Sequence, residues 1–259
     1  MSMPAIVLAG ERPGGSALAR EFGLASSVLV EVAGQSSLRR VMATLAQSTS
    51  IDGGRLCGPA EEILSSSQEV QDLRESSSFS WVQPESGPAE SALATLATIP
   101  ERPVLLTAAD HALLTPEIVD SFCNLTLLAD ADFIVGLVPY PRVREAFPDS
   151  KRTVLKFADG EYCGSNLFII RTEHGARLLQ FWKTIAQHRK RPWRMAREIG
   201  IGTLVRYLTG RLTLAETLQR ISERAGCRVA HVEVLAPRAA VDVDSVADHA
   251  LAERILGAC

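Results

Sequence analysis

Apolar residues along this chain fall into short unbroken runs separated by stretches with a helical repeat. Residues 4–9 are apolar without alternation, as in a strand buried on both faces. A loop rich in Gly and Pro follows, and residues 37–47 then place Leu38, Val41, Met42 and Leu45 on one face of a predicted helix. Further strands are predicted at 55–57, 80–83 and 103–107, with helices at 61–64 and 90–98. Thr115-Pro116-Glu117 supplies an N-cap, a proline at the first helical position and an acid in the first turn, so a helix is expected to about Leu128. Residues 132–138 read as the next strand.

From residue 139 the pattern changes. Two polar, turn-rich runs, 141–149 and 158–163, flank a predicted strand at 153–157, and 166–171 reads as another. Residues 172–188, 193–199, 203–207 and 213–225 look helical, with few strands between them. The chain closes with a strand at 227–234, the segment 239–243, and a helix from Ser245, where Asp248 three residues on completes a capping box. Only residues 65–80, rich in Ser, Gln and Glu, are compositionally biased, and they read as a solvated connection. The alternation predicts an α/β fold, a mostly parallel sheet with helices on both faces. One domain is expected over residues 1–259: a nucleotide-binding half (1–138), a substrate-facing elaboration (139–226) and a return to the sheet (227–259).

Composition narrows the function classes. A chain of 259 residues, 46% hydrophobic and 22% charged, fits one α/β domain with a substantial core. A formal net charge of -3 offers no electrostatic case for nucleic acid. Every apolar run is strand-sized, far below the ~20 residues of a transmembrane helix. The first run lacks a basic flank and is too short for a signal peptide, so the expected location is cytoplasmic. The five cysteines are scattered without a Cys-x-x-Cys pair, which argues for small buried hydrophobes rather than disulfides or zinc.

Three segments could carry chemistry. Gly10-Glu11-Arg12-Pro13-Gly14-Gly15 follows the first strand. Its glycines let backbone N–H groups approach phosphates, and Arg12 can add charge, although such a turn also serves as a plain connection. Asp110 stands just past the strand ending Leu106-Thr107-Ala108-Ala109, where open α/β sheets place ligands. Its carboxylate either holds Mg²⁺ against phosphate oxygens or caps a turn before Thr115. Asp242 and Asp244 alternate with valines and are read as pointing to opposite faces, leaving one of them to serve as a second metal carboxylate. Asp244 equally extends the helix cap. A basic cluster (Arg189, Lys190, Arg191, Arg194, Arg197) near Trp182 and Trp193 suits an acceptor phosphate, peripheral contact with anionic lipid, or a solvated helix face. Of the histidines only His111, beside Asp110, falls near these motifs.

In combination, Ile6-Val7-Leu8-Ala9-Gly10, Thr107-Ala108-Ala109-Asp110, Gly164-Ser165-Asn166 and Val241-Asp242-Val243-Asp244-Ser245 resemble the MobA-like nucleotidyltransferases over essentially the whole chain. The resemblance implies a Rossmann-like, three-layer α/β/α fold of GT-A type with a mostly parallel mixed sheet. It implies a nucleoside triphosphate (CTP or GTP by analogy) held by Leu8, Ala9, Gly10, Glu11, Arg12, Gly14 and Gly15, with Ser91 near the base or ribose. Arg12 and Asp110 would serve catalysis, and Asp110 with Asp242 or Asp244 would hold Mg²⁺. A phosphorylated small molecule would meet Asn166, Arg191 and Arg194 and attack the α-phosphorus, releasing pyrophosphate.

One position departs from the family pattern. Ser27, in Ser26-Ser27-Val28-Leu29-Val30-Glu31-Val32-Ala33-Gly34, stands where these enzymes carry a phosphate-neutralising lysine. Losing such a contact typically costs ~3–4 kcal/mol of transition-state stabilisation. Arg12 or Arg20 is the available replacement. Two alternatives remain: a GT-A glycosyltransferase using Asp130-Ala131-Asp132 on a nucleotide sugar, and a nucleotide-binding scaffold without turnover.

Overall fold

The unbroken apolar run at the start of the chain becomes an interior strand of the sheet, for the reason its composition suggests: both its faces are covered. The structure, a computed structural model, describes residues 2–11, 14–188 and 200–257. Its first-half strands are β1 (Met3–Leu8), the short hairpin β2 (Glu31–Val32) and β3 (Gln35–Ser36), β4 (Ile51–Cys57), β5 (Phe79–Val82) and β6 (Val104–Ala108). The later ones are β7 (Phe133–Pro139), β8 (Leu155–Phe157), β9 (Gly160–Ile170) and β10 (Val229–Glu233). Helices α1 (Ala17–Glu21), α2 (Ser37–Gln47), α3 (Glu61–Ser66), α4 (Gln68–Ser76), α5 (Pro88–Leu96) and α6 (Pro116–Thr126) alternate with the early strands. They are followed by α7 (Tyr140–Ala146), α8 (Ala176–His188), α9 (Ile201–Leu208), α10 (Leu214–Ala225) and α11 (Val246–Gly257).

The main sheet runs β10-β7-β9-β6-β1-β4-β5, with β8 added to β9. β1 pairs parallel with β4 and β6, β4 with β5, and β7 with β10. Among the described strands, β9 alone opposes its main-sheet neighbours, β6 and β7, besides its hairpin with β8. Alternation along β1 separates the two faces. Ala5 and Val7 join a cluster with Leu38, Val41 and Leu45 of α2 and Val119 and Phe122 of α6. Ile6 points the other way, with Ala92 and Leu96 of α5 and Leu179 of α8. This is the expected mixed, mostly parallel three-layer α/β/α arrangement.

Local signals worked where they were strong. Ser36 and Thr115 cap α2 and α6, and Thr213 with Glu216 forms a capping box on α10. The β2–β3 hairpin turns through Ala33 (φ 49°) and Gly34 (φ 77°), the pair of positive φ values that a two-residue type I′ turn requires.

Three expectations fail. The segment read as solvated, 65–80, contains α4, whose Val70 and Leu73 are buried one turn apart beneath an otherwise polar surface. The turn-rich run 141–149 contains α7, because Pro141 lies in its first turn, where a proline costs no hydrogen bond. Most of the run 158–163 is strand: β9 begins at Gly160 and extends through most of the segment predicted from 166. The predicted helix at 193–199 lies outside the described residues. Cys57, Cys123, Cys163 and Cys227 are free and buried, as small hydrophobes would be.

Asp120 on α6 fixes the turn between α2 and β4. Its carboxylate accepts from Ser48 Oγ at 2.5 Å, Thr49 Oγ1 at 2.9 Å and Ser50 N at 3.0 Å. Burial opposes the charged form, but these donors outweigh it and draw the carboxyl down to about 2. A depressed carboxylate stabilises above its unfolded pKa of about 3.9 and loses that contribution as pH falls through the folded value. Asp120→Asn should therefore cost roughly 2 kcal/mol near pH 7 and converge with wild type between about pH 4 and 2. Denaturant titrations across that window test this; a pH-independent difference would remove the charge from the explanation.

Candidate active site

Strand order decides where a ligand can sit. The chain leaves β1 for β4 and β5 on one side and then returns to lay β6 on the other, so the loops after β1 and β6 diverge at a topological switch point. Their bases are stitched together, Ala109 N donating to Leu8 O and Ala9 N to Cys57 O, each at 2.8 Å. Gly10 comes next, its backbone against Pro84. Gly58, after β4, has φ 93°, and a Cβ there would lie 2.8 Å from Gly10 N, so only glycine lets the two loops touch. The loops after β1, β4 and β5 thus share one floor. Gly14 and Gly15 follow with φ 98° and 73°, and the Arg20 guanidinium folds back to donate to Gly14 O at 2.9 Å. Arg12 lies outside the described residues.

Glu11 does not stand open in this loop. Its Oε1 accepts from Ser26 Oγ at 3.0 Å and from Ser27 Oγ at 2.7 Å, and also from Ser27 N. The serine that replaces the expected lysine is therefore engaged by a carboxylate of the glycine-rich loop. Nothing in the local pattern around Ser27 signals this partner, which lies on a separate loop.

Asp110 sits at the other lip of the crevice, and the late acidic segment runs beside it: Val243 N donates to Asp110 O at 2.9 Å. The expectation that Asp242 and Asp244 face opposite ways is wrong. Residues two apart on an extended segment share a face, and here Val241 and Val243 are buried while both acids line one cavity of about 380 Å³. Asn166, Gly164 and Lys151 also line it. Asn166 owes its aim to a bulge in β9 opposite Gly136, where its φ is 51°. Arg191 and Arg194 lie outside the described residues, as does the rest of the basic cluster.

Arg152, with a side chain only 7% exposed, crosses this cavity wall. It donates to Asp242 Oδ1 at 2.9 Å and to Ser150 Oγ at 2.9 Å, and pairs with Asp248. Sequence reasoning passed over it, since its partners lie about ninety residues downstream. Beneath the same segment, His111 is fully buried. Burial drives its imidazole down to about 4, only partly offset by Asp242 and by the nearby carbonyls of Ala239 and Arg238, so it is neutral at pH 7. Neither ring nitrogen meets a partner at hydrogen-bond geometry.

Two other sequence candidates serve the scaffold. Ser91 is buried, its Oγ accepting from Glu85 N at 2.9 Å, and so shapes the loop after β5. Asp130 and Asp132 stand at the amino end of β7, the opposite end of the sheet from the crevice. Asp132 accepts from Arg228 N and Thr172 Oγ1, both at 2.8 Å, and Asp130 pairs with Arg228 at 2.6 Å. That Asp-x-Asp fastens strand ends, away from the crevice.

Comparison with known proteins bears on the family and the fold. The MobA-like NTP transferase domain model matches residues 5–197. A hypothetical transferase from Thermus thermophilus is 27% identical, with a TM-score of 0.79 over 96% of this chain and 100% of that one. The 4-diphosphocytidyl-2C-methyl-D-erythritol synthase of Anaerococcus prevotii shares the fold at 12% identity, with a TM-score of 0.59 over 99% and 96% of the two chains. Molybdopterin-guanine dinucleotide biosynthesis protein A of Archaeoglobus fulgidus does so at 13%, with a TM-score of 0.55 over 99% and 100%. No curated protein matches the chain in sequence.

Removing Arg152 strands two carboxylates in a partly dry wall. Arg152→Ala should destabilise by roughly 2–4 kcal/mol, the lower end reflecting the partial exposure of Asp242. Adding Asp248→Asn should restore about 1 kcal/mol or more. Strictly additive losses in chemical denaturation would refute the coupling.

Proposed function

Since this chain belongs to the MobA-like NTP transferase family, and is a nucleotidyltransferase, we propose that it binds a nucleoside triphosphate at the switch point and transfers the nucleotide to a small phosphorylated acceptor. The observation that carries this reading is the convergence of the glycine-rich loop, Asp110 and the Asp242–Asp244 segment on one edge of the sheet, held by the Ala109–Leu8 and Val243–Asp110 hydrogen bonds. Gly10, Gly14 and Gly15 offer backbone N–H groups to the phosphates, and Arg20, with Arg12, supplies charge in place of the absent lysine. A cytidine or guanine nucleotide is the favoured donor, because a related fold was solved with CTP and another relative is named for a guanine dinucleotide.

The donor set suits Mg²⁺. Among the described residues no three acids, histidines or cysteines form a metal cage. Mg²⁺ in nucleotide sites needs none: it takes one or two carboxylates and completes its shell with phosphate and water. Asp110 with Asp242 or Asp244 would hold it, Asp242 also pairing with Arg152. The ion supplies neutralisation of charge on the transferring phosphoryl group. This chain's own residues position the reactants, the loop fixing the triphosphate and the cavity beside Asn166 and Lys151 receiving the acceptor. An acceptor phosphate oxygen attacks the α-phosphorus in line, the new P–O bond forms as the bond to the β-phosphate breaks, and pyrophosphate leaves. The glycosyltransferase reading loses its support with Asp130 and Asp132 at the wrong end of the sheet.

Thermal stabilisation by each of the four nucleoside triphosphates, with and without Mg²⁺, tests the donor site. A ligand at 100 times its dissociation constant adds ~2.7 kcal/mol, a shift of roughly 5–10 °C for a chain of this size. One nucleotide should dominate, need Mg²⁺, and lose its effect in Asp110→Ala. Arg20→Ala should weaken the same binding about tenfold. No shift with any triphosphate would sink the proposal.

A further inference from the structure

A carboxylate in a loop that receives phosphates is electrostatically perverse, and here it is built in rather than incidental. Glu11 lies between Gly10 and Gly14, at the lip of the crevice, and one of its oxygens is held by Ser26 and Ser27 through three donors. Those donors fix the charge where it is. A side chain held by a backbone N–H and two hydroxyls does not swing into solvent to make room for an anion, as a free surface glutamate would. Arg20 is laid against Gly14 O, and Arg12, next in the chain after Glu11, lies outside the described residues. Whatever cations the loop carries, a bare triphosphate entering it meets the fixed negative charge of Glu11 at close range in a partly desolvated setting.

We propose that Glu11, clamped by Ser26 and Ser27, is a specificity-determining residue that makes this loop accept a triphosphate only as its divalent-cation complex. The inference rests on the nucleotidyltransferase reading above and adds to it a rule about the form of the donor. Repulsion by Glu11 falls steeply once a divalent ion has neutralised half the phosphate charge, whereas the backbone N–H contacts are offered to either form. The serine in place of a lysine belongs to the same device. A lysine at position 27 would pair with Glu11 and cancel its charge, whereas a serine holds the carboxylate and leaves it charged.

Glu11→Gln separates this role from simple bracing. The amide oxygen still accepts from both serines, so the loop keeps its shape while the charge is gone. Isothermal titration of GTP and CTP, each in excess Mg²⁺ and in EDTA, gives the readout. Glu11→Gln should bind the metal-free nucleotide about tenfold more tightly than wild type, or better, and change the affinity for the Mg²⁺ complex far less. Ser26→Ala/Ser27→Ala, which keeps the charge but frees it, should narrow the same discrimination part of the way. Unchanged or weaker metal-free binding in Glu11→Gln, or wild-type discrimination in the double serine variant, overturns the proposal while leaving the donor site intact. Failure of wild type and Glu11→Gln alike to bind either nucleotide in Mg²⁺ overturns the donor site as well.

Discussion

The hydrogen bond from Val243 N to Asp110 O, 2.9 Å long, is the joint on which the candidate active site depends. It brings a segment near the end of the chain against the carboxyl edge of β6, and it is made possible by what lies underneath. Leu18, Val30, Val32, Ala112, Leu113, Val241, Val243 and Leu251 form a satellite cluster separate from the two main cores. Each is one to five residues from a polar group of the site: Leu18 from Gly15, Val30 from Ser27, Ala112 from Asp110, Val241 and Val243 from Asp242. Burying one of its leucine or valine side chains contributes about 1.5–3 kcal/mol. Hydrophobic burial thus fixes positions that the charges alone would spring apart.

The charges themselves are arranged to need little from a ligand. Arg152 answers Asp242 and Asp248, the serines hold Glu11, and Asp132 is bound at the far end of the sheet by Arg228 and Thr172. On the reading proposed above, phosphate and metal would enter a site several of whose charges already have partners, which would keep their own contacts decisive for affinity. Burial keeps His111 uncharged under this wall, so it adds no cation to the crevice.

How far the sequence could be read tracks how local each cause is. β1, α2 and α6 were legible because an unbroken apolar run, a helical repeat and the Thr115-Pro116-Glu117 start are complete within a few residues. α4 was not, since only Val70 and Leu73 betray it among serines and acids, and α7 hid behind a proline that a first turn tolerates. The extent of β9 was obscured by Gly160 and Gly164. At the site, the glycine-rich loop and Asp110 stand where their place after strands indicated. The common face of Asp242 and Asp244 was misjudged, although the buried valines beside them carry that information. The Arg152 pairs and the Glu11 clamp are long-range encounters that no window of sequence contains.

The joint between Val243 and Asp110 has an entropic side. It closes a loop that takes in everything from α6 to the acidic segment, including the cavity wall that bears Lys151 and Asn166. The cost of closing a flexible loop rises only as the logarithm of its length, about 0.6 kcal/mol for each doubling. In the connections between the strands of that stretch, insertions or deletions thus add little to the cost of holding its two ends together, whereas β7, β9 and β10 themselves are fixed by their sheet pairing. In the half that would receive the triphosphate on the proposed reading, the bases of the loops are themselves bonded to one another, Ala9 N to Cys57 O and Ala109 N to Leu8 O, which leaves less slack. A scaffold built this way can exchange one acceptor-facing segment for another while its donor pocket stays the same.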